Sequence, residues 1–277
     1  MRIVYLVAAV VLALLSLFGG ENFYEGGLSL YAFDVGQGDA FLFHFPGGEN
    51  VLVDAGPRRS AAALVGRLRQ LGVRRIDILV ATHPHEDHIG GVPDVLRAFE
   101  VGKVWDSGYN HGSAIQREML ATIRSRDIRY GRPQAGFLES VGDARIEVLA
   151  PRRAISGTAS DANNNGIVLR VVYGDVSFLM TGDIEEPGRR AMGRVPPATV
   201  LKVSHHGSRN GTDAALLRDA RPRFAILSYG QGNPYGHPHG EVLALLEERQ
   251  IPFAATEAGE IVVTTDGRSF DVARRGR

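Results

Sequence analysis

Cysteine is absent from the 277 residues. That excludes disulfides, thiolate metal sites, a cysteine nucleophile and a lipid-modified N-terminal cysteine. Lysine is almost absent too: Lys103 and Lys202 are the only two, so the positive charge is nearly all arginine. Net charge is missing as well, with 31 basic residues against 31 acidic ones. Binding to nucleic acid through bulk positive charge alone is therefore disfavoured, while a local basic groove stays open. Long apolar runs are confined to Ile3–Phe18, preceded by Arg2 and ended by Gly19-Gly20-Glu21. That run is shorter than the roughly 20 residues of a helical membrane span and matches the core of a signal peptide. Residues 1–20 are read as a cleaved signal or an uncleaved anchor, and as the chain's sole membrane contact. The remainder is then exported or membrane-anchored, outside the cytoplasmic membrane. With 44% hydrophobic and 22% charged residues the chain is a folded protein, not a disordered one.

Residues 28–275 read as one domain without repeats or low-complexity tracts. Leu28–Val35, Ala40–Phe45 and Val51–Asp54 have strand character, with Pro46–Gly48 as a hairpin turn. Ser60–Leu71 carries apolar residues at helical spacing. Ile76–Ala81 is a continuous apolar run, as in a strand buried on both faces. Helices are expected at Val92–Phe99, Ile115–Arg126, Thr212–Asp219 and Glu241–Arg249. Further strands are expected at Arg145–Leu149, Ile167–Tyr173, Val176–Met180, Thr199–Val203, Arg223–Ser228, Ile261–Thr265 and Ser269–Ala273. Each half gives a sheet followed by helices, so the natural assembly is two sheets packed face to face with helices outside.

The nine histidines are clustered. His83, His85 and His88 share one short stretch with Glu86 and Asp87, directly after Ile76–Ala81. His205 and His206 are adjacent, and His237 and His239 are two apart. Without cysteine, imidazole and carboxylate are the ligands left for zinc, manganese or iron. Several such groups on one loop at a strand end can serve two ions. Asp34 and Asp39 flank Gly36-Gln37-Gly38, a turn that reads either as an anion cradle or as a tight hairpin with structural carboxylates. His44 lies on a strand and reads as structural; the loop of His111 is long enough to reach a cleft.

The run Thr82–Gly91 resembles the HxHxDH signature of the metallo-β-lactamase superfamily. Val51–Gly56, Leu179–Asp183 and Ser204–Ser208 resemble three other motifs of that family. More narrowly, Asp34–Ala40, Asn163–Asn165, Lys202–Ser208 and Asn233–His237 resemble the C-terminal hydrolase domain of ComEC-type DNA-uptake proteins. Those proteins carry the domain after many membrane spans, so this chain looks like a stand-alone relative. The resemblance implies an αββα sandwich of two mixed sheets (α/β) with two divalent ions, zinc or manganese, at one edge. It implies His83 and His85 on the first ion, Asp87 and His88 on the second, and Asp183 bridging. One of His205 and His206 completes the second site, with His206 preferred; the neighbour faces the substrate or lends a proton. Asp54 braces the metal loop, with Asp34, Asn165 and Ser208 behind the ligands.

The sequence departs from most of the superfamily at one point. No histidine lies between His111 and His205, and the place of a third ligand to the first ion falls on Asp161–Asn165. Asn163 is the candidate there, a weak oxygen ligand, and oxygen shifts preference from zinc toward manganese; a plain turn is the other reading. Two ions about 3.5–4 Å apart can share a hydroxide nucleophile at neutral pH and neutralise a phosphate. Asp87 would also orient the water, while His205 and His237 are candidates for proton transfer or phosphate contact. The expected activity is a phosphodiesterase or nuclease, with single-stranded DNA among its substrates. The alternatives are a lactone, β-lactam, cyclic nucleotide or teichoic-acid-type substrate, or a low-turnover component of a DNA-uptake assembly. The oligomeric state is not legible.

Overall fold

The computed structural model describes residues 26–276. The expected signal or anchor over residues 1–20 lies outside the described residues. In chain order the first strands are β1 (Leu28–Ala32), β2 (Phe41–His44), β3 (Asn50–Val53), β4 (Arg75–Ala81), β5 (Glu100–Asp106) and β6 (Arg129–Gly131). Then come β7 (Leu138–Val141), β8 (Ala144–Ala150), β9 (Val168–Tyr173), β10 (Val176–Met180), β11 (Val200–Lys202), β12 (Phe224–Leu227) and β13 (Phe253–Ala255). The chain closes on β14 (Glu260–Thr265) and β15 (Phe270–Arg275). The helices are α1 (Ala61–Gln70), α2 (Glu86–Ile89), α3 (Val92–Ala98), α4 (Ala114–Ser125), α5 (Asp161–Asn164), α6 (Glu186–Met192), α7 (Ala214–Ala220) and α8 (Gly240–Glu248).

Two mixed sheets result. One has the order β15-β14-β1-β2-β3-β4-β5-β6, the other β13-β12-β11-β10-β9-β8-β7. Strand alternation decides which side chains lie between them. Val51, Val53, Ile78 and Val80 of the first sheet meet Leu169, Val171, Phe178 and Met180 of the second. Phe43 and Phe178 cross this interface edge to face, with centroids 5.4 Å apart. The opposite side chains, Leu52, Leu79 and Ala81, pack under Leu64, Leu68, Val95, Met119 and Ile123 of α1, α3 and α4. On the second sheet Leu179, Leu201 and Leu227 pack under Met192, Leu216, Leu217, Val242 and Leu246 of α6, α7 and α8. This is the αββα sandwich.

Several elements have weak sequence patterns. β5 is interrupted by Gly102 and Lys103, β6, β7 and β13 are only three or four residues long, and α6 starts at Glu186-Pro187. Their geometry comes from pairing with a neighbour rather than from local periodicity.

Strand direction creates the functional edge. β3 and β4 pair in parallel, as do β10, β11 and β12. Their C-terminal ends therefore emerge together. That edge receives Asp54, the loop 82–88, Asp183, His205–His206 and Ser228–Gly230. The sheets are fastened there: Ile167 N donates to Thr82 O at 2.8 Å, and Ser228 Oγ donates to Gly38 O at 2.7 Å.

Gly38 sits against the back of the histidine loop. Its φ is +139°, and a Cβ built there would stand 2.2 Å from Asp87 O and 2.9 Å from Pro57 Cδ. Asp39 N donates to the same Asp87 oxygen at 3.1 Å. A methyl group would have to push the loop toward the cleft. Gly38→Ala is expected to destabilise the fold by roughly 1–3 kcal/mol in urea unfolding and to lower metal content. Unchanged stability with full metal content would show that the loop gives way without cost.

Candidate metal centre

The loop after β4 is fixed before its histidines begin. Asp54, fully buried at the end of β3, accepts from Thr82 N at 2.8 Å and from Thr82 Oγ1 at 2.7 Å. Its Oδ2 also takes His88 Nδ1 at 2.7 Å. His83, with its ring at 3.1 Å from Thr82 Oγ1, then points into the edge. The single turn α2 brings His88 back beneath the loop.

The second sheet supplies the other half. Residues 204–207 form a tight turn in which His205 and His206 both adopt left-handed backbone angles, with φ of 50° and 53°. Such strain at non-glycine residues persists only where surrounding structure enforces it, often at functional sites. The turn sends the two rings apart. His206 is buried, and its Nδ1 donates to Ser228 O at 2.8 Å. A carbonyl only accepts, so the neutral ring carries its lone pair on Nε2.

The result is a convergence of lone pairs. His88 Nε2 and His206 Nε2 face each other at 3.3 Å. Asp183 Oδ2 is 3.2 Å from both. Asp87 Oδ2 is 3.3 Å from His206 Nε2 and 4.0 Å from His88 Nε2. Ligand atoms around a tetrahedral ion with bonds of about 2.0–2.1 Å stand about 3.4 Å apart. These separations fit that polyhedron, and both outer nitrogens are held by hydrogen bonds as metal-binding imidazoles usually are.

Asp39 also belongs to the cluster: Asp39, His88, Asp183 and His206 offer ligand atoms within 4.8 Å of one another. It stands behind the rings, however, 3.4 Å from His206 Nδ1 and 3.9 Å from His88 Nδ1. Its Oδ2 is taken by Lys202 Nζ at 2.6 Å. Lys202 is itself buried and also donates to Gly182 O at 2.8 Å, with Asp183 Oδ1 at 3.4 Å. One of the chain's two lysines is thus a fixed cation beneath the site. Sequence reading placed it at the head of Lys202–Ser208 without giving it a role; the signal was an ammonium at the end of an otherwise apolar strand, β11.

Electrostatics agree with the geometry. Burial would strip His88 of its proton, yet Asp183, Asp54 and Asp87 hold its pKa well above the usual histidine range. His206 is raised in the same way, burial being overcome by Asp183 and Asp39. Asp183 is held well below the carboxylate range, its own burial being outweighed by His206, His88 and Lys202. The carboxylates therefore demand positive charge at His88 and His206. One divalent cation in place of two imidazole protons leaves that balance unchanged, so these residues fit a metal.

On the other side of Asp183 the arrangement is looser. His83 Nε2 lies 3.8 Å from Asp183 Oδ2 and 3.1 Å from His85 Nδ1. Burial, with the charge of His88 added, keeps His83 well below and His85 below the ordinary histidine value. His205 Nε2 is 3.7 Å from Asp183 Oδ2, and its Nδ1 lies 3.2 Å from Glu185 Oε1, out of line for a hydrogen bond. Asn163 Oδ1 is buried without a hydrogen-bond partner among the described residues, while its Nδ2 reaches Glu185 Oε1 at 3.5 Å.

The three asparagines have separate tasks. Asn163 lines the cleft; Asn164 Oδ1 accepts from Glu185 N and Gly188 N at the start of α6; Asn165 ties the loop to Ile155 and Asp161. The segment is a capped helical turn, α5, rather than a plain turn. Glu185 was not anticipated, although an acidic pair two residues after Asp183 was there to be read.

Three positions depart from the expectation. Asp34 accepts from Gly36 N and lines a separate hollow with Arg67 and Glu260; Asp39 is the carboxylate of that turn that reaches the cluster. Asn165 and Ser208, whose Oγ accepts from Asn210 N, shape their own loops. The two carboxylates go different ways outside the strands: Asp39, just before β2, reaches Lys202 and His206, and Asp34, past the end of β1, turns to the hollow of Arg67 and Glu260. His44 bonds Asn50 Oδ1 at 2.8 Å, a structural contact. The His111 ring approaches that of His85 with centroids 5.4 Å apart.

Above the cluster opens a cleft of about 570 Å³, lined among others by Gln37, Arg59, Asn163, His205, Tyr235 and His237. Burial, with His205 next, pushes His237 down to about 4, so its ring is neutral at neutral pH.

The family model for the metallo-beta-lactamase superfamily matches residues 33–231. The chain belongs to that superfamily, and its fold and His/Asp cluster make it a metal-dependent hydrolase of this class. It is 29% identical over 244 residues to ComE operon protein 3 of Bacillus subtilis, covering 81% of this chain and 31% of that protein. It is 30% identical over 260 residues to competence protein ComA of Neisseria gonorrhoeae, covering 91% of this chain and 34% of that protein. The chain thus spans about a third of these relatives, which are in line with the ComEC-type motifs. Among solved structures, the metallo-beta-lactamase fold protein YhfI of Bacillus subtilis superposes with a TM-score of 0.56 at 14% identity, covering 86% of this chain and 100% of that one. That likeness shows the fold.

Lys202→Met removes the cation and leaves Asp39 buried without its ion-pair partner. Breaking a buried pair from one side costs about 3–5 kcal/mol, and the variant is expected to unfold correspondingly earlier in urea and to bind metal less tightly. Wild-type stability and metal affinity would make Lys202 a bystander.

Proposed function

We propose that this chain is a metal-dependent phosphodiesterase acting on nucleic-acid strands, with single-stranded DNA in its substrate range. The observation that carries the metal dependence is the pair of opposed Nε2 atoms of His88 and His206, each with its Nδ1 tied back and Asp183 Oδ2 equidistant from both. His88, His206, Asp87 and Asp183 would hold one divalent ion, and His83, His85, Asn163 and Asp183 would serve a second. Zinc and manganese both suit this donor set, and the amide oxygen favours manganese. Such ions supply Lewis acidity and a water made acidic enough to attack.

The protein's own residues do the rest. Asp87, partly open to the cleft, orients the attacking water. His205 lies outside the His88–His206 pair, faces the cleft and can protonate the leaving oxygen. His237, neutral, contacts a phosphate oxygen rather than supplying a proton. Arg59 lines the cleft without an ion-pair partner among the described residues, available to a phosphate. Asn163 in place of a histidine argues against a β-lactam substrate. Its relatives, a competence protein and a protein of the ComE operon, support a nucleic-acid diester.

In this reading residues 28–275 are the hydrolase and residues 1–20 a signal or anchor that places it outside the cytoplasmic membrane. Among the described residues no helix is long and apolar enough to cross a membrane.

The deciding assay offers the manganese- or zinc-loaded protein single-stranded DNA, bis-p-nitrophenyl phosphate and a chromogenic β-lactam. Cleavage of the diesters alone is expected. His206→Ala should lose metal and activity together. His205→Ala should keep its metal and lose about 10²–10⁴-fold in kcat, as for a proton donor. If both variants keep two ions, neither histidine is a ligand. Cell fractionation tests the placement: full-length protein is expected in the envelope, a chain starting at Asn22 in the cytosol. Full-length protein in the cytosol refutes it.

A further inference from the structure

Tyr235 is 63% exposed, a high value for a large aromatic side chain, and it lines the cleft above the metal cluster. Its ring lies on that of His237, with centroids 5.6 Å apart and planes at 24°. His237 lies in turn over His206, at 6.3 Å and 29°. Near-parallel rings thus run outward from a metal-side histidine to a bare aromatic face.

That face is held rather than dangling. Asn233 Oδ1 accepts from Tyr235 N and His237 N, and Asn233 Nδ2 donates to Gly230 O and His237 O. Gln37, which lines the same cleft, is buried, and its Oε1 accepts from Gly230 N at 3.3 Å. Its Nε2, a donor, has no hydrogen-bond partner among the described residues. Arg59, which has no ion-pair partner among the described residues, lines that cleft too. A rigid aromatic face beside two donors that lack acceptors matches a flat apolar ring flanked by anionic oxygens. A polyol phosphate offers no such ring, and a duplex keeps its bases stacked inside.

We infer that Tyr235 is the stacking platform for an unpaired nucleobase next to the reacting phosphate, with Gln37 and Arg59 taking phosphate oxygens. The substrate is then a single strand. This rests on the phosphodiesterase reading and specifies which diester that site takes.

Two measurements test it. The full chain in detergent, with chelator so that strands stay intact, is titrated into a labelled short oligothymidylate and into an abasic phosphodiester of equal length, followed by fluorescence anisotropy. Base stacking on an aromatic predicts about tenfold or more tighter binding of the base-bearing strand. Tyr235→Ala should erase that difference and Tyr235→Trp keep it. Equal binding of the two strands by wild type, including no binding of either, overturns the proposal, as does an equal loss on both strands in Tyr235→Ala. In manganese, wild type is assayed on methyl p-nitrophenyl phosphate and on thymidine 5′-(p-nitrophenyl phosphate). Hydrolysis of neither defeats the phosphodiesterase reading, and the strand-binding comparison still decides the platform.

Discussion

Four carboxylates, Asp39, Asp54, Asp87 and Asp183, converge on two buried imidazoles, and that gathering of negative charge is the constraint on which the site depends. Charge taken out of water must be paired or neutralised. The chain answers with Lys202 behind Asp39, with hydrogen bonds from Thr82 to Asp54, and with cationic demand at His88 and His206. The part of that demand facing the cleft is what a metal can meet. The division is spatial: the Nδ1 atoms of both rings are tied to acceptors of the protein, and the Nε2 atoms face each other and Asp183.

Topology makes such a gathering affordable to reach from distant parts of the chain. The parallel ends of β3 and β4 and of β10, β11 and β12 open on the same edge, so short loops from two sheets meet without long excursions. The apolar sandwich is the rigid base. Left-handed turns at Asp54, His205 and His206 are the local distortion this convergence requires.

Much of this was legible from the sequence where a residue type has few alternative uses. Histidines clustered after an apolar strand announce a site, and strand alternation announces the two faces of each sheet. What escaped depends on contacts between segments remote in sequence. Lys202 reads as a lapse in an apolar strand until Asp39, from the other sheet, is placed against it. Asp34 and Asp39 look equivalent beside Gly36–Gly38, and only their contacts with remote segments, Lys202 and His206 for Asp39, distinguish them. Glu185 gains its meaning from Asn163 across the loop, and the short strands β6, β7 and β13 from the neighbours they extend.

The two sides of Asp183 are built to different tolerances, and that asymmetry bears on how such a site can act. The His88–His206 side is buried, with each outer nitrogen tied to a fixed acceptor, so its ligands have little freedom. The His83–His85 side has a partly exposed His85, an asparagine whose oxygen lacks a partner, and a glutamate near at hand. A centre that must hold an ion and also admit a charged substrate benefits from one closed half and one open half, since coordination positions left free on the open side are where substrate oxygens can enter. In the proposed two-ion reading Asn163 would give that openness without disturbing the fold, because the neighbouring Asn164 and Asn165 keep the segment in place through bonds of their own.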